Sequence, residues 1–272
     1  MYQRPDTLED ALAILAAGDC RIAAGCTDLF PATTRKVLQG AMLDITAISN
    51  LRGITHTPEG LRIGATTTWT DIIKADLPPC LDGLKLAARE VGATQIQNRG
   101  TLAGNLCNAS PAADGVPPLL TLDAEVDVSS RQASRRLPLA VFLKGPRQVA
   151  LATDEMVTAI HIPRSALHGQ GHFLKLGARK YLVISIAMTA ARITVEDGIV
   201  TQAALALGSC GPVATRLPAI EHAMVGRPLD PKVITESDVA ETISPIDDIR
   251  AKAEYRTAGA TELLRRTIGG LV

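Results

Sequence analysis

Apolar positions at helical and strand spacing divide the chain into elements. Leu8, Leu12 and Leu15 recur at helical spacing between a capping-box pattern at Thr7 and Gly18, which predicts a helix over residues 8–17. Further patterns predict helices over 29–36 and 84–91. Short apolar runs bounded by turn residues predict strands over 21–24, 42–48, 51–55, 61–65, 124–129 and 156–162.

The second half of the chain carries a long hairpin and a helical end. Apolar runs over 184–196 and 199–209 flank an Asp197-Gly198 turn, and a helix is expected over 249–268. The segment 163–171 has the composition of a linker. These patterns predict an α+β protein in three parts, with an α/β part over 1–50, a β-rich part over 51–165 and an α+β part over 166–272.

Two glycine-bearing loops are the strongest local signal for a binding site. The first, residues 24–28, follows a predicted strand and leads into a predicted helix, an arrangement whose free N–H groups suit an anion. The second, residues 91–105, has neither helical nor strand periodicity and contains Gly92, Gly100 and Gly104. Such composition is typical of a backbone that approaches a ligand closely, and Asp114 follows in an otherwise uncharged run.

Composition and charge exclude several classes of function. The 28 Lys+Arg balance 28 Asp+Glu, so no basic field exists for nucleic acid or an anionic membrane. Aromatic residues are only 3%, too few for a base-stacking surface. The five cysteines show no Cys-x-x-Cys spacing, so neither disulfides nor a metal or iron–sulfur site is expected. The N-terminal residues form no apolar targeting segment, and we expect a cytoplasmic protein.

Seven segments, in order along the chain, carry a resemblance to a known family: 5–12, 24–29, 61–65, 98–105 with 109–114, 154–163, 173–179 and 253–256. Through them the chain resembles the FAD-binding (medium) subunits of the molybdenum hydroxylases, a group that includes xanthine dehydrogenase and carbon monoxide dehydrogenase. The resemblance implies an FAD-binding fold of the vanillyl-alcohol-oxidase (PCMH) type. It also implies a C-terminal α+β domain typical of carbon monoxide dehydrogenase flavoproteins.

The resemblance assigns thirteen residues to the cofactor: Ala24, Gly25, Cys26, Thr27, Asp28, Thr101, Ala103, Gly104, Asn105, Asn108, Asp114, Val157 and Lys175. Both loops would solvate the FAD pyrophosphate with N–H and hydroxyl donors, which only small residues permit at hydrogen-bond distance. A carboxylate repels phosphate, so Asp114 would accept a hydrogen bond from a sugar or ribityl hydroxyl. Val157 would pack against the cofactor, and the Lys175 ammonium would lie near it.

The chain departs from the family pattern in both loops. Each loop of the family usually contains a pair of glycines, whereas this chain has Gly25-Cys26 in the first loop and Ala103-Gly104 in the second. Each loop has therefore lost one glycine to a small residue. Positive φ is less accessible to these replacements. Thr27 stands where covalent relatives have a flavin-linking histidine, and the resemblance therefore implies noncovalent FAD.

The function implied is electron transfer. Electrons would pass from iron–sulfur clusters on a small partner subunit through FAD to NAD⁺, a quinone or dioxygen, while a large partner subunit holds the molybdenum cofactor. We assign no catalytic residue and no metal ligand to this chain, since its five histidines lack the companions of a base. A stand-alone FAD-dependent reductase and an interaction subunit without flavin remain alternatives. From the residues alone, Asp114 could also cap the turn at Gly115, and Lys175 could be a solvated charge.

Overall fold

The computed structural model describes residues 1–34 and 37–271. Its strands are β1 (Tyr2–Gln3), β2 (Cys20–Ala23), β3 (Ala41–Asp44), β4 (Ile54–Thr57), β5 (Gly60–Gly64), β6 (Glu125–Ser129), β7 (Ser134–Pro138), β8 (Leu143–Gly145), β9 (Gln148–Val149), β10 (Met156–Pro163), β11 (Gln170–Leu176), β12 (Ala187–Glu196), β13 (Ile199–Gly208) and β14 (Thr215–Arg216). Its α-helices are α1 (Leu8–Ala17), α2 (Trp69–Lys74), α3 (Asp82–Glu90), α4 (Thr94–Gln97), α5 (Leu102–Asn108), α6 (Val116–Thr121), α7 (Leu139–Phe142), α8 (Pro218–Met224), α9 (Glu236–Ala240) and α10 (Ala253–Gly269). The expected α+β architecture is confirmed.

The strands form three main sheets. The first is a parallel sheet in the order β1-β3-β2, against which Leu12 and Leu15 of α1 pack beside Leu43. The second is antiparallel, in the order β4-β5-β10-β6-β7. The third, β11-β12-β13-β14, is also antiparallel, and β8 and β9 pair separately.

The third sheet is covered by helices on both faces. Thr189 of β12 contacts Thr267 of α10 on one face, whereas Met188 clusters with Ala87 of α3 on the other. Because both faces are covered, residues 187–193 are all buried instead of alternating with polar positions. Helices α3 and α6 come from the first half of the chain, so this packing fixes the third sheet against the elements that carry the glycine loops.

Two strong sequence signals are confirmed. Helix α1 spans residues 8–17, and the Thr7 hydroxyl accepts a hydrogen bond from the Asp10 N–H at 3.1 Å. The β12–β13 hairpin turns at Asp197 and Gly198, which have φ values of 50° and 78°. Positive φ at both positions matches the right-handed strand twist, which explains why Asp-Gly predicts this turn.

The helix predicted from Leu29 is wrong over residues 29–34, and Arg35 and Lys36 lie outside the described residues. Turns replace it, with the Ala32 N–H donating to Asp28 O at 3.1 Å. Pro31 has no N–H to donate, and Phe30 is 58% exposed, so no packed apolar face stabilises a helix.

Other boundaries also differ from expectation. The segment 91–105, predicted without helical structure, contains α4 and the start of α5. The expected linker 163–171 contains a 3₁₀ turn over Arg164–Ala166 and the first residues of β11. Within 1–34 and 37–271, no helix is both long and apolar enough to cross a membrane.

Candidate cofactor-binding site

A cleft of about 820 Å³ lies between the glycine loops and the segment after β11. This volume is within the usual range for small-molecule and cofactor sites. The cleft brings together all thirteen residues predicted from the sequence. Most of its lining comes from the first two sheets and their loops, while Lys175 comes from β11 of the third sheet and residues 182–184 from the segment after it.

The first loop packs backbone to backbone on the second. Gly25 follows β2, and a Cβ atom there would lie 1.9 Å from the Arg99 carbonyl oxygen. Gly25 does not have a positive φ, so close approach is what requires glycine at this position. Cys26 has φ 59°, the left-handed conformation that its side chain disfavours. Burial raises the pKa of its thiol, which keeps the sulfur protonated and unreactive at neutral pH.

The second loop ends in a capped helix. The Thr101 hydroxyl accepts a hydrogen bond from the Gly104 N–H at 3.1 Å and thereby caps α5. Ala103 lies in the first turn of this helix, so its replacement of a family glycine demands no positive φ. The cap uses the Thr101 side chain to fix the position of Gly104 and Asn105 at the cleft.

Trp69, the single tryptophan, lies against the second loop and lines the cleft, and it was not identified from the sequence. It is 1% exposed, and its backbone N–H donates to Gly100 O at 3.1 Å. A Cβ at Gly115 would lie 2.6 Å from the indole Cη2 atom, so the ring and the start of α6 are in close contact. A lone tryptophan in a chain poor in aromatic residues was the one signal available for this role.

Asn105 has a buried Oδ1 atom for which the described residues supply no hydrogen-bond partner. Such atoms are rare in folded proteins, because each one costs free energy of desolvation. This oxygen belongs to a residue that lines the cleft, so it can accept a hydrogen bond from a bound ligand.

Asn108 is held by Arg147, a second residue that the sequence did not reveal. The Arg147 guanidinium donates to the Asn108 backbone oxygen at 3.1 Å and also to its side-chain Oδ1. Arg147 follows β8 and has φ 60°, and it places one positive charge at the cleft. Its 39-residue separation from Asn108 explains why no local pattern pointed to this pair.

Asp114 and Lys175 form an ion pair at the cleft. The Lys175 ammonium donates to Asp114 Oδ2 at 2.9 Å, and the Ser185 hydroxyl donates to Oδ1 at 2.9 Å. Burial raises the pKa of Asp114, while Lys175 and Ser185 oppose that shift. The alternative role of Asp114 as a cap of the turn at Gly115 is wrong, because α6 has no side-chain cap. The alternative role of Lys175 as a solvated charge is also wrong, because its side chain is only 6% exposed.

One wall of the cleft is apolar. Val157 lies in β10 at a register shift against β6, and such irregularities redirect side chains. It is 5% exposed and lines the cleft with Val91, Ile96 and residues 182–184. These side chains offer apolar contact to a planar, weakly polar ring.

The residues present fit FAD. The loops offer small residues whose backbone can approach a diphosphate, Asn105 offers a free acceptor to a hydroxyl or N–H, and the apolar wall suits the isoalloxazine ring.

Comparison with known proteins also identifies an FAD-binding chain. The model of the FAD binding domain in molybdopterin dehydrogenase matches residues 1–165, and that of the CO dehydrogenase flavoprotein C-terminal domain matches 172–271. The chain is 33% identical over 264 residues to the xanthine dehydrogenase FAD-binding subunit of Escherichia coli O157:H7, covering 94% of this chain and 90% of that protein. It is 29% identical over 273 residues to the nicotine 6-hydroxylase medium subunit of Paenarthrobacter nicotinovorans, covering 98% and 95%.

A solved structure extends the likeness to the whole fold. Carbon monoxide dehydrogenase from Hydrogenophaga pseudoflava contains a chain that superposes with a TM-score of 0.89 at 26% identity. The superposition covers 99% of this chain and 96% of that one, so both parts of the fold correspond.

Proposed function

The chain belongs to the family of FAD-binding subunits of molybdenum-containing dehydrogenases, and on this premise we propose that it relays electrons through one noncovalent FAD. The electrons come from iron–sulfur clusters on a small partner subunit and leave to a terminal acceptor. A large partner subunit carries the molybdenum cofactor and oxidises the organic substrate. The observation that carries the proposal is the cleft in which all thirteen predicted residues meet.

The residues of this chain bind and shield the cofactor. Bound FAD supplies the redox chemistry, because it exchanges electrons singly or in pairs. Residues 24–28 and Ala103 would offer small side chains and backbone N–H groups to the diphosphate, whereas the N–H groups of Gly104 and Asn105 already donate to Thr101. Asn105 Oδ1 would accept a hydrogen bond from the cofactor, and Val157 with residues 182–184 would line the flavin.

We expect the purified chain to carry about one noncovalent FAD. Thr27 offers no imidazole for a covalent flavin link, so acid or heat precipitation should release the flavin into the supernatant. Chromatography of that supernatant identifies it as FAD. FMN, a yellow pellet or a colourless chain that cannot be reconstituted with FAD would contradict the proposal, and the last result would favour an interaction subunit without flavin.

The same preparation separates a relay subunit from a stand-alone enzyme. Free of molybdenum and iron by elemental analysis, it should at most oxidise reduced nicotinamide with a dye as acceptor. Oxidation of a heterocycle or an aldehyde by this isolated chain would overturn the proposed function.

We expect Asn105→Ala to weaken FAD binding without weakening the fold. The flavin-free chain should be as stable as wild type or slightly more so, because an unpartnered buried oxygen is removed and alanine favours the helix. FAD affinity should fall by about 1–3 kcal/mol as a hydrogen bond is lost. Quenching of the single tryptophan, Trp69, by added FAD measures the affinity, and thermal unfolding of the flavin-free chain measures stability.

A parallel loss of stability and affinity in Asn105→Ala would show that Asn105 acts through the fold alone. Asn98→Ala is the control, since Asn98 lies in the second loop but is not a lining residue of the cleft. Its FAD affinity should match that of wild type.

A further inference from the structure

Three side chains from two distant parts of the sequence meet at one buried point. Asp114 precedes α6, Lys175 lies in β11, and Ser185 lies in the segment between β11 and β12. Both carboxylate oxygens of Asp114 are used, Oδ2 by the Lys175 ammonium and Oδ1 by the Ser185 hydroxyl, each at 2.9 Å. The resemblance treated Asp114 and Lys175 as separate cofactor ligands and did not include Ser185.

The group is shielded from solvent. The side chains of Asp114 and Lys175 are 10% and 6% exposed, and Ser185 is 2% exposed. Removing one partner of a buried pair leaves a charge without compensation, so these three residues act as a unit. The family models place Asp114 in the first domain and the other two in the second, which means that the unit joins the two domains at the cleft.

The protonation state of Asp114 decides the charge at this wall of the cleft. With the carboxyl ionised, the pair with Lys175 has no net charge; with it protonated, one positive charge remains. Burial raises the pKa of Asp114, and the negative charge of Glu90, at the end of α3, raises it further. Lys175 and Ser185 lower the pKa of Asp114. The Ser185 hydroxyl bonds the ionised form, so it favours the neutral pair.

We propose that Ser185 is a positioning residue that keeps Asp114 ionised, so that the Asp114–Lys175 pair presents no net charge to the flavin at neutral pH. The proposal rests on the proposed function for its effect on FAD. Its effect on the charge of the pair is independent of any cofactor. A positive charge near a flavin stabilises the added electrons, so loss of Ser185 should raise the FAD midpoint potential.

The first measurement uses the flavin-free chain. A carboxyl whose pKa is raised on folding lowers stability as the pH rises through its folded-state pKa. The hydrogen bond from Ser185 stabilises the ionised carboxylate of Asp114, so it limits this loss of stability. Ser185→Ala should therefore lose more stability relative to wild type at pH 8 than at pH 5, whereas Ser185→Thr, which keeps the hydroxyl, should lose little at either pH.

The second measurement uses the FAD-bound chain. Ser185→Ala should have a midpoint potential above that of wild type, with the difference growing as the pH falls from 8 to 6. Its Kd for FAD, measured by Trp69 quenching, should stay close to that of wild type, because the Ser185–Asp114 bond is present both with and without FAD. Ser185→Thr should restore the wild-type potential, and in an Asp114→Asn background Ser185→Ala should leave the potential unchanged.

These measurements distinguish a failure of the proposed role of Ser185 from a failure of the proposed electron-transfer function. A wild-type chain that binds no FAD overturns the electron-transfer role, while the stability measurements still decide the role of Ser185. An equal loss of stability in Ser185→Ala at pH 5 and pH 8 overturns the proposal. A potential equal to that of wild type throughout this pH range in Ser185→Ala also overturns it, even if FAD binds more weakly.

Discussion

Gly25→Ala is expected to abolish retention of FAD and to destabilise the chain by about 3 kcal/mol or more. The added Cβ would lie 1.9 Å from the Arg99 carbonyl oxygen and 2.9 Å from Gly100 Cα, and both are backbone atoms. No side-chain rotation can relieve such a contact, so the two glycine loops must separate. Because both loops line the cleft, their separation disrupts the binding site directly.

Gly211→Ala is the matched control for Gly25→Ala. Gly211 is also a loop glycine without positive φ, but the nearest atom to an added Cβ is Val213 O at 3.6 Å, an ordinary contact. Its stability should change by no more than about 0.5 kcal/mol. Flavin absorbance per purified chain and urea unfolding measure the two effects. Full flavin content in Gly25→Ala would mean that the close approach of the loops is not needed for binding.

Local sequence patterns predicted an element correctly where they marked its first residue, its buried face and its last residue. Helix α1 has a capping threonine and regularly spaced leucines, and the β12–β13 hairpin has an Asp-Gly turn between two apolar runs. Helix α5 was missed because Leu102–Asn108 is short and consists largely of small and polar residues, so Leu102 and Leu106 supply only one pair of leucines at helical spacing. Its stability comes from the Thr101 cap and from these two leucines in the core.

The candidate site was predicted in outline, because glycines and a family pattern mark its loops. Its cross-links were not predicted, since they join residues far apart in the sequence. Lys175 and Ser185 lie 61 and 71 positions after Asp114, and Arg147 lies 39 after Asn108. No periodicity or spacing relates such residues; the packing of β11 and β12 on α3 and α6 brings the first group together, and the packing of α5 on β9 brings Arg147 to Asn108. The packing of β11 and β12 also explains why Lys175, for which a solvated charge was an alternative reading, is buried and paired.

Arg256 forms a further long-range cross-link, next to Ser185. It lies in α10 and is 2% exposed. Its guanidinium donates to the backbone oxygens of Ile186 at 2.6 Å, Ser209 at 3.1 Å and Ile246 at 3.2 Å, and to the Asp248 carboxylate at 2.5 Å. The five N–H groups of arginine serve four acceptors at once, which a lysine ammonium cannot do in the same planar geometry.

Arg256→Met is expected to cost about 3–5 kcal/mol of unfolding free energy. Methionine keeps much of the apolar volume, so the loss measures the missing donors: three carbonyl oxygens and one carboxylate lose a partner. FAD affinity should fall as well, because Ile186 directly follows Ser185 and loses its anchor to α10. Arg256→Lys should restore only part of the stability.

Arg266→Met on the same helix supplies the control for this prediction. Arg266 pairs with Glu262 one turn away, and their side chains are 69% and 52% exposed, so solvent screens the pair. We expect a change within about 0.5 kcal/mol and unaltered FAD affinity. Urea unfolding of both flavin-free variants and Trp69 quenching by FAD provide the comparison. If Arg256→Met unfolds at the same urea concentration as Arg266→Met, the guanidinium is not what fixes the segment from Ser185 to β12, and the position of Ser185 must depend on its contact with Asp114 alone.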